Sequence, residues 1–140
     1  MLHHNVFTNG IGYLNLLFDT KNVPNDLIPY MGVLKSVLGY VDTEHYTYGE
    51  LFNEINAQTG GINCGLQVFR IPENDDDCRR MFGIRAKFLY DKLDFVMKMI
   101  EEILNTSRLD DEKRIHEIIS SMKSGLQNRL SSAGNATAVM

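Results

Sequence analysis

The chain contains 140 residues, of which 44% are hydrophobic and 23% are charged, and its formal net charge is −4. This size and composition are typical of one folded domain with a real hydrophobic core. The acidic balance argues against a nucleic-acid-binding surface, because such a surface needs a basic patch and the Lys and Arg residues occur in groups no larger than pairs.

The sequence also indicates a compartment. It contains no apolar run near the roughly 20 residues that cross a bilayer, and its N-terminus lacks the order of a secretory signal. Cys64 and Cys78 fall at different heights of a predicted hairpin, too far apart for a disulfide. Two free thiols fit a reducing compartment, so the sequence predicts a cytoplasmic protein with no membrane contact.

The first predicted elements are a strand and a helix. Residues 10–19 are apolar on both faces apart from Asn15, which is typical of a strand that is covered on both sides or lies in the middle of a sheet. A loop follows, and apolar residues then recur at spacings of three and four. They predict a helix over about residues 26–38, with Pro29 in its first turn and Gly39 as its stop.

The central stretch, residues 47–71, predicts a helix followed by a strand. Thr47 and Glu50 have the spacing of a capping box, and the pair Gly60-Gly61 ends the helical pattern. On this helix the apolar face comprises Leu51, Phe52 and Ile55. From residue 62 the period changes from 3.6 to 2, so Ile62, Cys64, Leu66 and Val68 are expected to face the helix.

A hairpin is predicted after this strand. Residues 72–77 form an acidic turn, which lacks the spacing, central Gly and distal Glu of a calcium loop and is interpreted as a solvated tip. Residues 78–90 then alternate as a third strand, antiparallel to the second, with a cationic outer face. The apolar positions of this strand are Phe82, Ile84, Ala86, Phe88 and Tyr90.

Two helices complete the pattern. Asp91 and Asp94 open the third helix, and its predicted buried residues are Leu93, Val96, Met97, Ile100, Ile103 and Leu104. Asp110 or Asp111 caps the fourth, whose apolar residues are Ile115, Ile118, Ile119, Met122, Leu126 and Leu130. The sequence therefore predicts an α+β fold of order β-α-α-β-β-α-α, with helices on one face of an antiparallel-rich sheet. Because this sheet is small for so many helices, residues 1–140 are interpreted as a single partial domain.

No catalytic or metal-binding constellation is evident. The histidines are scattered, and neither a Gly-rich phosphate loop nor a nucleophile motif occurs. His116 is interpreted as a solvated residue of the fourth helix. His45 lies in the loop before Thr47, where it could contact a partner, although loop histidines usually have no role.

Several separate segments nevertheless resemble, in the same order, the presequence protease subfamily of the pitrilysin/insulinase metallopeptidases. They are residues 2–20 (LHHNVFTNGIGYLNLLFDT), 23–39 (VPNDLIPYMGVLKSVLG), 43–62 (TEHYTYGELFNEINAQTGGI) and 123–136 (KSGLQNRLSSAGNA). The resemblance is to the beginning of the third of four homologous α+β domains. It implies a truncated metallopeptidase-like domain from the C-terminal half, whereas the N-terminal half of the family carries zinc.

The resemblance also implies that the zinc site is degenerate here. In the family, an inverted H-x-x-E-H motif on the first long helix supplies two His ligands and a Glu general base. Tyr30, Val33 and Leu34 fall at the His, Glu and His positions, and Val and Leu have no lone pair for zinc. A further family ligand is a Glu near Glu101 or Glu102, but a lone carboxylate binds zinc weakly. The expectation is no catalytic residue, metal ligand or cofactor in this chain, with zinc held elsewhere in the parent enzyme.

By resemblance, the chain is a non-catalytic structural domain of a zinc metalloendopeptidase that degrades peptides, and it forms part of the peptide-enclosing chamber. Its partners would be the remaining domains of the same polypeptide and an unfolded peptide, and an exposed sheet edge would favour self-association. An alternative is a stand-alone scaffold or interaction module without catalysis. A third is a module that binds peptides by strand addition at the first or third strand.

Overall fold

The computed structural model describes the backbone of residues 6–71 and 74–132, and the side chains of residues 6–70 and 78–132. Its elements follow the predicted order β-α-α-β-β-α-α. They are β1 (Ile11–Asp19), α1 (Ile28–Val37), α2 (Tyr48–Gln58), β2 (Ile62–Ile71), β3 (Asn74–Leu89), α3 (Leu93–Thr106) and α4 (Glu112–Ser132). Short 3-10 turns, Asn25–Leu27 and Tyr90–Lys92, precede α1 and α3. No helix of the described residues is long and apolar enough to cross a membrane.

The strands form an antiparallel sheet in the order β1-β3-β2. Leu14 pairs with Ala86 on one side of β3, and Cys64 pairs with Ile84 on the other. The expectation that β1 is central or covered on both sides is therefore wrong, because within the described chain β1 pairs with β3 alone. Its residues alternate in burial instead, and Tyr13 is 68% exposed. The apolar residues of β1 misled the prediction because several of them face solvent.

The third strand is longer than predicted, since it begins at Asn74 rather than near residue 78. Arg70 pairs with Cys78, and a register shift then brings Ile71 opposite Asn74. Val68 and Phe69 are exposed, so this end of the hairpin extends past the core. The prediction of a turn over residues 72–77 is therefore wrong for residues 74–77, whose backbone lies in β3, and the rest of the predicted turn lies outside the described residues.

The hydrophobic core lies on one face of the sheet, and all its helical members come from that side. Even-numbered residues of β3 form its floor, as predicted for Phe82, Ile84, Ala86 and Phe88, whereas Tyr90 lies beyond the strand and is exposed. The buried helix and loop residues that complete the cluster are Leu38, Leu51, Ile55, Val96, Met99, Ile100 and Ile103. The predicted α+β architecture with helices on one face is confirmed.

The capping box of α2 is confirmed. The Glu50 N–H donates to the Thr47 hydroxyl at 3.3 Å, and the Thr47 N–H donates to the Glu50 carboxylate at 2.9 Å. Leu51 and Ile55 are buried, but Phe52 is 53% exposed, contrary to expectation. A residue one position beyond Leu51 is rotated by about 100° around the helix axis, which carries Phe52 to the margin of the core.

Two further predicted apolar faces are only partly buried. On β2, Leu66 and Val68 are exposed, because the helices cover Ile62 and Cys64 but not the distal half of the strand. On α3, the buried residues are Val96, Met99, Ile100 and Ile103, while the predicted Leu93, Met97 and Leu104 are exposed. This buried set has the i, i+3, i+4, i+7 spacing of a helix that packs by one stripe.

The last helix packs loosely. Its N-cap is Asp111, whose carboxylate accepts the Arg114 N–H at 2.9 Å. None of the described α4 residues is fully buried: Ile115, Ile118 and Met122 are half-buried, and Ile119, Leu126 and Leu130 are exposed. The predicted apolar stripe therefore exists, but only its N-terminal part contacts the rest of the described chain.

Leu51 and Phe52 allow a direct test of the core boundary. Replacing Leu51, which is fully buried, with Ala should lower the free energy of unfolding by about 2–5 kcal/mol through lost burial and a cavity. Replacing the half-exposed Phe52 with Ala should cost less than about 1 kcal/mol. Urea denaturation of both variants measures the difference, and equal losses would contradict this core.

Candidate functional site

The degenerate zinc-helix positions share one side of α1 through their i, i+3, i+4 spacing, but they differ in burial. Tyr30 is 67% exposed, while Val33 and Leu34 are partly buried and Leu34 packs against the core cluster. A phenol turned to solvent and two hydrocarbon side chains do not make a ligand set for zinc. Within the described residues, no group of three or more His, Cys, Asp or Glu side chains is placed to hold a metal ion.

The two glutamates singled out on α3 have different environments. Glu101 is exposed, whereas the Glu102 carboxylate accepts the His45 N–H at 3.1 Å and contacts the His45 ring nitrogen Nδ1 at 3.0 Å. The Glu102 side chain is only 11% exposed. This pair joins α3 to the loop before α2, so Glu102 has an intramolecular partner and His45 has a structural contact that sequence reasoning did not predict.

The environment of Glu102 strongly favours its ionised form. Burial is the largest single influence and raises the pKa of this carboxyl, but polar contacts with Thr43, His45 and Thr106 together outweigh it and lower the pKa to about 2. The carboxylate therefore stays charged at neutral pH. Its chemistry is that of an anchor for the loop rather than a proton donor.

A half-open cavity of about 550 Å³ lies between α1, α2, α4 and the start of β2. Its walls are mixed, with Phe52, Ile62 and Met122 among the apolar residues and Lys35 and Asn56 among the polar ones. Cys64 also lines it, and burial raises the pKa of this thiol to about 11. The thiol is protonated at neutral pH and is a poor nucleophile. As predicted, Cys64 and Cys78 are both free.

Arg114 fixes the start of α4 at the rim of this cavity. Its guanidinium lies 3.8 Å from the centre of the Tyr48 ring, and its Nε–H donates to the Tyr40 carbonyl at 3.0 Å. Its Nη1 also pairs with Glu117 at 3.2 Å. One side chain thus connects α4 with the N-terminus of α2 and the loop after α1.

The opposite face of the sheet is not covered by any helix of the described chain. It carries the odd-numbered residues of β3, and the predicted cationic face is found there with Arg85 and Lys87 both exposed. Lys87 lies 5.9 Å from the centre of the Tyr13 ring, directly across the β1–β3 ladder. Arg85 donates to the amide oxygen of Gln67 at 2.8 Å.

Both outer strands of the described sheet leave a ladder edge without a partner, namely β1 and β2. The interpretation that a peptide could add at the first or third strand is therefore wrong for the third, since β3 is paired on both sides. The second strand takes its place as an available edge. Sequence reasoning missed this because antiparallel hairpins do not reveal which strand lies in the centre.

The comparisons with known proteins agree with one another. The family model described as Peptidase M-16C associated matches residues 1–140. Protein HypA of Clostridium perfringens is 38% identical over 138 residues, which cover 99% of this chain and 14% of the relative. The chloroplastic/mitochondrial presequence protease 1 of Arabidopsis thaliana is 25% identical over 138 residues, which cover 99% of this chain and 13% of the relative.

A more distant relative extends the same similarity. The mitochondrial presequence protease of Yarrowia lipolytica is 21% identical over 133 residues, which cover 95% of this chain and 13% of that protein. The chain thus spans about one seventh of the length of these curated relatives. A presequence protease-related domain, the resemblance noted from the sequence segments, is confirmed.

The Glu102 anchor predicts a pH dependence. Because its folded pKa of about 2 lies below the ordinary value of 4.5, this carboxylate stabilises the fold above pH 4.5, and the stabilisation is lost as the pH falls towards 2. Glu102→Gln removes the titration, so the drop in Tm between pH 4.5 and pH 2 should be smaller than in the unmodified chain. The exposed neighbour provides the control, since Glu101→Gln should leave that drop unchanged. Equal acid profiles for all three chains would contradict the assignment.

The Arg114 contacts predict how α4 is held. Arg114→Met should remove the stacking on Tyr48 and the bond to Tyr40, and destabilise the docking of α4 by about 1 kcal/mol. Hydrogen exchange should then become several-fold faster in α4 with little change in β3. Lys123→Met, a substitution of an exposed α4 cation, should leave exchange as it is. Unchanged protection of α4 in the Arg114 variant would show that other contacts hold the helix.

Proposed function

The chain belongs to the family described as peptidase M-16C associated, and from this premise we propose that it is a non-catalytic domain of a zinc metalloendopeptidase that degrades peptides. Its relatives include proteins named presequence protease, of which it covers about one seventh. In the proposed enzyme, most of the polypeptide lies outside this segment, and that part catalyses the hydrolysis. Zinc and its activated water would be held by that remainder.

The environment of α1 is the observation that carries this proposal. The helix expected to bind zinc presents an exposed Tyr30, a partly buried Val33 and a core-packed Leu34. These residues do not fit a metal, and no hydrolytic step is assigned to them. In this proposal the domain contributes a layered scaffold, in which the described helices back one side of the sheet and leave its other side open.

The open side of the sheet supports a more specific role. In the proposed enzyme, this domain forms part of the wall that encloses the peptide, with the remaining domains of the same polypeptide as its neighbours. A broad face without a helical cover, with exposed side chains such as Tyr13 and Lys87, is suited to line such a space. The two free cysteines favour a reducing compartment, and we place the protein in the cytoplasm on that ground.

The alternative is a stand-alone scaffold or interaction module that has the same fold and no catalysis. The gene that encodes the chain distinguishes the two. A reading frame that ends near residue 140 favours the scaffold, and one that extends on both sides, with H-x-x-E-H upstream, favours the protease.

Zinc binding and peptide cleavage test the proposal. Calorimetric titration of the 140-residue chain with zinc should give no tight stoichiometric binding, and the chain should not hydrolyse peptides. The complete gene product should hydrolyse an unstructured peptide and lose that activity with a chelator. Chelator-sensitive hydrolysis by the 140-residue chain, or a complete product without peptidase activity, would overturn the proposal.

A further inference from the structure

We propose that Arg85 and Lys87 bind carboxylate groups of an acidic peptide that lies in extended form across the open face of the sheet. The inference rests on the proposed function and deepens it, because it assigns a peptide chemistry to this domain. Within the described residues, these two side chains combine exposure, positive charge and a position at the centre of the uncovered face.

Their spacing suits an extended peptide. Arg85 and Lys87 are two residues apart on β3, so their side chains leave the same face of the sheet about 7 Å apart. Alternate residues of an extended peptide repeat at the same distance and also point to one side. Two acidic residues at positions i and i+2 of such a peptide would therefore meet both cations.

The charge of this pair is not neutralised by the described side chains. Arg79, the other cation on this face of β3, pairs with Asp19 at 3.8 Å. Neither Arg85 nor Lys87 has a salt-bridge partner among residues 6–70 and 78–132. Since the chain as a whole has a net charge of −4, a cationic pair at this position stands out from its background. Charge complementarity selects an acidic occupant.

Both cations are held in place by neutral groups. The Gln67 amide oxygen accepts one N–H of Arg85, which leaves the other donors of its planar fork for a carboxylate. The stem of Lys87 lies beside Gly60, and its ammonium lies over the Tyr13 ring. Partners of this kind restrict the side chains without removing their charge, so less entropy is lost when an anion binds.

The surface beside Arg85 also leaves room for a ligand. Gly65 and Gly83 lie opposite each other in neighbouring strands, and the Gln67 amide folds over Gly83 on its way to Arg85. The space above Gly65 is open to at least 4 Å. Apolar contact for the other residues of a peptide is provided by Tyr13 and by Leu17, which is 41% exposed.

Peptide hydrolysis by the complete gene product provides the test. Two peptides are compared that differ only in a Glu-x-Glu or a Gln-x-Gln segment. The double substitution Arg85→Gln with Lys87→Gln should lower kcat/KM for the Glu peptide about fivefold, mainly through KM, and change it less than about twofold for the Gln peptide. The fivefold effect should shrink at high salt, because exposed charges are screened.

A matched control has the same change in charge on the helical side. Lys98→Gln with Lys123→Gln, two exposed lysines of α3 and α4, should leave the ratio of the two peptides unchanged. Arg85→Lys provides a milder variant that keeps the charge and loses the fork, and it should raise KM for the Glu peptide about twofold to threefold. This variant keeps the test decisive if the double substitution prevents folding.

The outcomes separate this inference from the proposed function. Absence of hydrolysis by the unmodified gene product overturns the proposed function and this inference with it. If all variants hydrolyse the two peptides with the same preference, the inference is overturned and the proposed function is not. If the double variant has a lower Tm but shows no selective rise in KM for the Glu peptide, the inference is also overturned. An acidic segment of the same polypeptide would then cover the face.

Discussion

Strand β3 pairs with β1 on one side and with β2 on the other, and its even-numbered residues form the floor of the hydrophobic core. The alternation of side chains along a strand couples these two facts, because burying Ile84 and Ala86 turns Arg85 and Lys87 to the opposite face. A shift of one residue in the ladder would place cations against the helices. The register of β3 therefore determines both where the core lies and which surface is free to interact.

Helices α2, α3 and α4 pack on the core face of the sheet to different extents. Helix α3 packs by a complete buried stripe, and α2 is fixed by its capping box and by Leu51. Helix α4 has no fully buried residue among those described and is fixed near its start by Arg114, which contacts Tyr48 and Tyr40. Burial is accordingly concentrated in the sheet, α2 and α3, whereas Ile119, Leu126 and Leu130 of the apolar stripe of α4 remain exposed.

The chemistry of the chain follows from the same layering. Two groups with reactive potential are engaged or suppressed, since Glu102 anchors the loop at His45 and the buried Cys64 thiol stays protonated. Tyr30, Val33 and Leu34 share one side of α1 but offer zinc no ligand set, because two of them are hydrocarbon side chains and the third is an exposed phenol. In our proposal, the chain supports a reaction that another part of the protein performs. In our proposal its own contribution is the shape and charge of the surface it presents to a peptide.

Local signals in the sequence determined the order of elements, the capping box at Thr47, the alternation of β3 and the family resemblance, because caps and periodicities are properties of neighbouring residues. The sequence did not determine that β1 lies at an edge, that Phe52 and Leu66 are exposed, or that Met99 replaces Met97 in the core. Those outcomes depend on which helix covers which part of the sheet. The contact of His45 with Glu102 likewise joins residues 57 positions apart. Only the tertiary structure brings such groups together, because burial is decided by packing between elements rather than by the hydrophobicity of any one of them.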